Sequence, residues 1–229
     1  MCRKKVQKGK TNLLLLWGAI RGELSSSFII KQMADNQSIP DNKSLNTADV
    51  SINRADVLKL SEESKITIAM RLYRATIDIC ADKKLDVAIA NCNAEHATYL
   101  FIKFFQKAIH QVCIHTGSLY EGIFDKDDVI RAAIEYLDRN PKSIIRIAYQ
   151  DYNTEANVIL RRQFVRSIIE HIKTEPGRLE IWDARNTEKK NHFAVMDQSA
   201  YRHETDHLRR TALANFGNAD AATNFYRDF

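Results

Sequence analysis

Three short segments near the C-terminus carry the residue types that could do chemistry: His192-Phe193-Ala194-Val195-Met196-Asp197, then Tyr201-Arg202-His203-Glu204, then Ala214-Asn215-Phe216. The first reads as an apolar strand with a histidine at its start and an aspartate at its end. An imidazole can attack a phosphorus centre or relay a proton, and a carboxylate can orient it. A guanidinium such as Arg202 can pair with phosphate oxygens, and Asn215 can hold a loop or a ligand through its amide. These residues point to phosphate handling. No lysine or arginine stands between His192 and Asp197, where Ala194 lies, so a cation for phosphate oxygens has to come from elsewhere. His192, Asp197, Arg202 and Asn215 are the candidate ligand-binding residues, with His192 the candidate catalytic one. Each also has a plain structural role: strand end, turn, ion pair with Glu204, and loop support.

Other patterns are weaker. His203-Glu204-Thr205-Asp206-His207 matches HExxH, whose histidines share a face only on a helix. The apolar helical flank and a third ligand are missing, so no metal site is expected. Arg161, Arg162 and Arg166 form a basic stripe that reads as a solvated face. The seven glycines are scattered singly, so no loop cradles a nucleotide phosphate. No cofactor is expected.

The net charge of +5 is unevenly placed. Residues 1–32 hold seven Lys/Arg and one acid, which is +6 and leaves −1 for the remainder. The body of the chain therefore offers no global attraction to duplex nucleic acid. Cys2, Cys80, Cys92 and Cys113 show no CxxC or zinc spacing. The last three sit in apolar runs, as buried free thiols do, which points to a reducing, cytoplasmic compartment.

Residues 1–56 read as an extension and leader. A basic start precedes Leu13-Leu14-Leu15-Leu16-Trp17-Gly18-Ala19-Ile20, which is too short to span a bilayer. This stretch stands open between a tail upstream of a start at Met33, a signal-like or amphipathic membrane contact by residues 1–32, and an ordered helix. Residues 33–56 are rich in Asn, Ser, Asp and Gln and read as flexible.

Residues 57–229 are expected to form one α/β domain. Ser61-Glu62-Glu63-Ser64 is a helix start, and Ile66 to Tyr73 is ambiguous between helix and strand. Strands are expected at Leu85–Ala90, Val112–Thr116, Ile144–Tyr149, Arg178–Trp182 and Phe193–Met196. Helices are expected from Asn93 to Ile109, Asp125 to Leu137, Asn157 to Lys173 and Asp220 to Phe229. Strands alternating with helices predict βαβ units, a largely parallel sheet flanked by helices.

This order, with the last strand, resembles the phospholipase D-like superfamily over about residues 85–229. In that family's HxKxxxxD motif His192 matches the histidine and Ala194 stands at the lysine. Asp197 falls two residues early, and Ser199 occupies the formal aspartate position. Ala214-Asn215-Phe216 is similar to the later Asn-Phe segment. The resemblance implies a phosphohistidine chemistry in which the lysine neutralises phosphate oxygens; Arg202, Arg209, Arg210, Lys189 or Lys190 would have to replace it. A degenerate motif implies a non-catalytic binding or regulatory module that recognises a phosphorylated ligand or protein partner. An accessory or sensor subunit, for instance in bacterial antiviral defence, is one such role. The alternative it implies is a small nuclease or phosphodiesterase acting as a homodimer through His192.

Overall fold

The computed structural model describes residues 61–150, 158–185, 192–206 and 211–229. The N-terminal extension, Lys189, Lys190, His207, Arg209 and Arg210 lie outside the described residues. The chain divides into two compact units, Met1–Leu72 and Tyr73–Phe229. Of the first, the described part is the start of helix α1 (Glu62–Lys83), where Ser61 Oγ accepts the Ser64 amide at 3.2 Å. The ambiguous 66–73 segment is therefore helical.

The second unit holds a seven-stranded sheet. In chain order it comprises β1 (Ile89–Asn91), α2 (Ala94–Lys107), β2 (Gln111–Thr116), α3 (Glu121–Phe124), α4 (Asp127–Arg139) and β3 (Ile144–Tyr149). There follow α5 (Val158–Arg161), α6 (Gln163–His171), a single 3₁₀ turn and β4 (Leu179–Asp183). The chain closes with β5 (Phe193–Met196), β6 (Ala200–Asp206), β7 (Thr211–Asn215) and α7 (Ala219–Asp228). The strand order is β1-β7-β6-β5-β2-β3-β4.

The sheet is mixed rather than largely parallel, which corrects the expectation from the alternating elements. Only β2 with β3 and β3 with β4 pair parallel; β1–β7, β7–β6, β6–β5 and β5–β2 are antiparallel. The cause is local. Asp197 and Gln198 both adopt positive φ, 49° and 54°, and Ser199 donates to the Met196 carbonyl at 2.9 Å. That is a two-residue turn of the mirror-image kind, whose twist matches a hairpin. The polar run 200–206 then lies as a strand in the middle of the sheet. Sequence reading missed it and β7 because neither is an apolar run.

Central strands are covered on both faces. Val112, Cys113, Ile114 and His115 are buried consecutively, as are all four residues of β5; a strand packed on both sides reads as a continuous apolar run. Helices α2, α4 and α6 cover one face through Phe105, which lies 6.0 Å from Tyr136 and 5.9 Å from Phe164 between ring centroids. Helix α7 covers the other, where Phe225 meets Phe193 and Tyr201 at 5.4 and 5.0 Å. Each fully buried aromatic contributes about 1.5–3 kcal/mol relative to exposure. Cys80 and Cys113 are buried free thiols and Cys92 is half-buried. Among the described residues no helix is long and apolar enough to cross a membrane.

Candidate functional site

Strand register builds the site. Side chains alternate across a strand, and residues directly opposite in a ladder share a face. Ile114, Ala194, Arg202, Ala214 and Ile89 form one row across five strands. Arg202 belongs to the α2 side of the sheet, because its guanidinium lies 5.9 Å from the Phe101 ring centre. One step along, the Glu204 amide donates to the His192 carbonyl at 2.8 Å, which places Glu204 beside His192 on the same face.

The side chains meet there. Glu204 Oε2 lies 3.4 Å from His192 Nδ1 and 3.8 Å from Arg202 Nη1. Arg202 is 6% exposed, and its Nε donates to Asn91 Oδ1 at 2.9 Å. Burial pulls its pKa down, opposed by the Glu204 carboxylate; an arginine nevertheless stays charged. Among the described residues the Tyr73 hydroxyl alone is a fully buried side-chain polar atom without a hydrogen-bond partner. Arg202 also borders an open space beside Glu204. Tyr73 stacks on His96 at 3.8 Å, and burial raises its pKa against the nearby Arg202 charge.

That space is a cleft of about 240 Å³ lined by His192, Arg202 and Glu204 on one side and by Thr116, Gly117 and Ser118 on another. Gly117 permits the close approach: a Cβ there would sit 3.3 Å from both Cε1 and Nε2 of His192. Asn93 and Ala94, also in the lining, begin α2, where Asn93 Oδ1 accepts the His96 amide at 2.8 Å. A 14-residue helix presents partial positive charge at this end. Aromatic side chains of Phe101, Tyr120 and Phe124 complete the wall. A buried cation, a helix N-terminus and an imidazole held by a carboxylate together suit an anion, and a phosphate oxygen in particular.

The other candidates lie elsewhere. Asp197 sits five residues along β5 from His192, about 16 Å at strand rise. Its carboxylate accepts the amides of Ile109, His110 and Gln111 at 2.6, 2.9 and 2.8 Å, so it ties the hairpin turn to the start of β2 and does not line the cleft. Asn215 pairs with Tyr201 and so belongs to the α7 face, opposite Arg202. Its Nδ2 donates to Asp86 Oδ1 at 2.8 Å, and its Oδ1 accepts the Gly217 and Asn218 amides at 2.8 and 2.9 Å. Both therefore stabilise loops. The HExxH pattern lies on a strand through Asp206, which sends His203 and Glu204 to opposite faces; His203 packs 4.9 Å from Phe225. Among the described residues no group of three His, Cys, Asp or Glu side chains could hold a metal. Sequence reading missed Asn91, Gly117 and the partnership of Glu204 with His192. The signal for the last was the alternation Arg202, Glu204 against Tyr201, His203.

No family model matches the chain, and no curated protein matches it. Solved structures do. TrmBL2, an archaeal chromatin protein, is similar with TM-score 0.46 and 12% identity over 80% of this chain and 67% of its own. Nuc from Salmonella typhimurium, a phospholipase D family member, is similar with TM-score 0.43 and 10% identity over 62% of this chain and 88% of its own. Phosphatidylserine synthase from Haemophilus influenzae Rd KW20 gives TM-score 0.39 and 13% identity over 72% of this chain. The chain spans 45% of that synthase. At these scores the likeness extends no further than a broadly similar arrangement of strands and helices.

Proposed function

We propose that the chain is a recognition module that binds a phosphate-bearing ligand in the cleft between β5, β6 and the start of α2. The observation that carries this reading is Arg202: nine-tenths buried, fixed at Nε by Asn91, and lining the cleft beside Glu204. Burying a cation costs several kcal/mol; Glu204 at 3.8 Å is too far for a hydrogen bond, and an anionic ligand supplies a closer partner. The degenerate HxKxxxxD pattern fits this reading, because the position of the lysine is Ala194 and the cation comes from the neighbouring strand. Titration of the full chain with inorganic phosphate, followed by calorimetry, tests it. Wild type binds, and Arg202→Ala binds at least tenfold more weakly. Equal affinity in the two proteins sinks the reading.

A second reading is favoured by one contact, the Glu204 carboxylate 3.4 Å from His192 Nδ1. A histidine oriented in this way can attack phosphorus through Nε2 while the P–O bond to the leaving alkoxide breaks and that oxygen takes a proton. Water then cleaves the phosphohistidine and restores the imidazole. Pairing of two copies across the cleft belongs to this reading. Hydrolysis of bis(4-nitrophenyl) phosphate that resists chelator and disappears in His192→Ala supports it; absence of hydrolysis leaves binding alone.

A further inference from the structure

In the wall of the cleft stands an aromatic ring held in place by its own loop. Tyr120 lines the cleft yet is 38% exposed. Its position is built from three sides. A Cβ on Gly122 would lie 2.5, 2.7 and 2.9 Å from Cε1, Cζ and Oη of the Tyr120 ring, so the ring lies back over α3 in space that only glycine leaves. Leu119, wholly buried, takes φ 52°, a conformation that costs a side-chain-bearing residue about 1 kcal/mol or more. Arg162 then clamps the loop, donating from Nε to the Ser118 carbonyl at 3.1 Å and from Nη1 to Glu121 Oε2 at 2.8 Å. Backbone strain, a required glycine and a braced loop converge on one exposed ring. An aromatic that only filled core would need none of these and would not face solvent.

We infer that Tyr120 is a stacking platform and that the ligand is a nucleotide, its phosphate toward Arg202 and its base on the Tyr120 ring. The inference rests on the phosphate reading above and names the ligand class of the same cleft. A tyrosine held in one rotamer offers a flat apolar surface at low entropic cost, and stacking is open to every base. The wall beside it, Phe124 and Ile123, extends the apolar side. Glycerol phosphate has no group that stacks on such a surface.

The test is calorimetric titration of the full chain with adenosine 5′-monophosphate and, as the base-free control of the same phosphate charge, glycerol 3-phosphate. Wild type is expected to bind the nucleotide about tenfold or more tightly than the control, the range for one stacked base. Tyr120→Ala removes that difference, whereas Tyr120→Phe keeps it. Gly122→Ala pushes the ring aside and shrinks the difference. Equal binding of the two probes by wild type overturns the inference but leaves the phosphate reading intact, as does parallel weakening of both by Tyr120→Ala. Failure of wild type to bind either probe overturns both.

Discussion

Ala194 and Arg202 face each other across the antiparallel pair of β5 and β6. Their Cβ atoms are therefore neighbours on one face, about 5 Å apart. A lysine at 194 would start beside Arg202, on the face of the sheet from which Arg202 reaches the cleft.

This relationship predicts a transplant. Arg202→Ala lowers inorganic phosphate affinity about 10- to 100-fold, the range for a charge-assisted hydrogen bond in a buried setting. Adding Ala194→Lys to Arg202→Ala restores at least part of it, because the new ammonium starts from the adjacent position on the same face. Calorimetry reads both. No recovery in a folded double variant would place the phosphate away from this row.

Glu204 is the negative charge of the cleft, 3.4 Å from His192 and 3.8 Å from Arg202. Glu204→Gln keeps the shape and removes that charge, so a bound anion loses a repulsion. We expect phosphate to bind several-fold more tightly, with the gain shrinking as salt is raised. Any phosphodiester hydrolysis moves the other way, since the carboxylate no longer orients His192. Weaker phosphate binding in this variant would contradict the placement of the anion.

Asp197 separates stability from binding. Asp197→Ala removes the carboxylate that accepts three amide N–H groups and puts alanine at positive φ. A loss of about 2–4 kcal/mol in urea unfolding is expected, while phosphate affinity in the folded protein stays within about twofold, given a separation of about 16 Å from His192. A large affinity change at unchanged stability would return Asp197 to the site.

The buried thiols set an alkaline limit. Burial pushes Cys113 up to about 12 and Cys80 up to about 11, from 9.0. The native state then holds protons that the unfolded chain releases, so stability is full below about pH 9 and falls as pH rises through the native values. Urea midpoints should decline from pH 9 to 11, and Cys113→Ala should flatten that slope. An unchanged slope would assign the decline to the buried tyrosines instead.

The parts of the fold that sequence reading located are those with strong local signals. The apolar runs 112–116, 144–149 and 193–196 are strands, and the 3–4 spacing of Ala97, Leu100, Phe101, Phe104 and Phe105 marks the buried face of α2. The strand 200–206 escaped notice because Arg202 and Glu204 are charged. Their burial is compensated by Asn91 and His192, residues distant in the chain or on another strand, and no local window contains that compensation. The same holds for direction: β5 runs antiparallel to β2, and the turn at Asp197-Gln198 adds β6 as its hairpin partner.

By itself the sequence determined that residues 85–183 alternate strand and helix, that His192 stands just before a strand, and that Ala194 offers no cation. Periodicity and residue type act within a few neighbours, and these are local properties. Only the tertiary structure decided which face each polar residue takes and which strand lies beside which. Ladder register brought Arg202 and Glu204 to His192. It sent Asn215 to the opposite face and Asp197 to the far end of β5, because a one-residue change in alternation or register exchanges the two sides of a sheet.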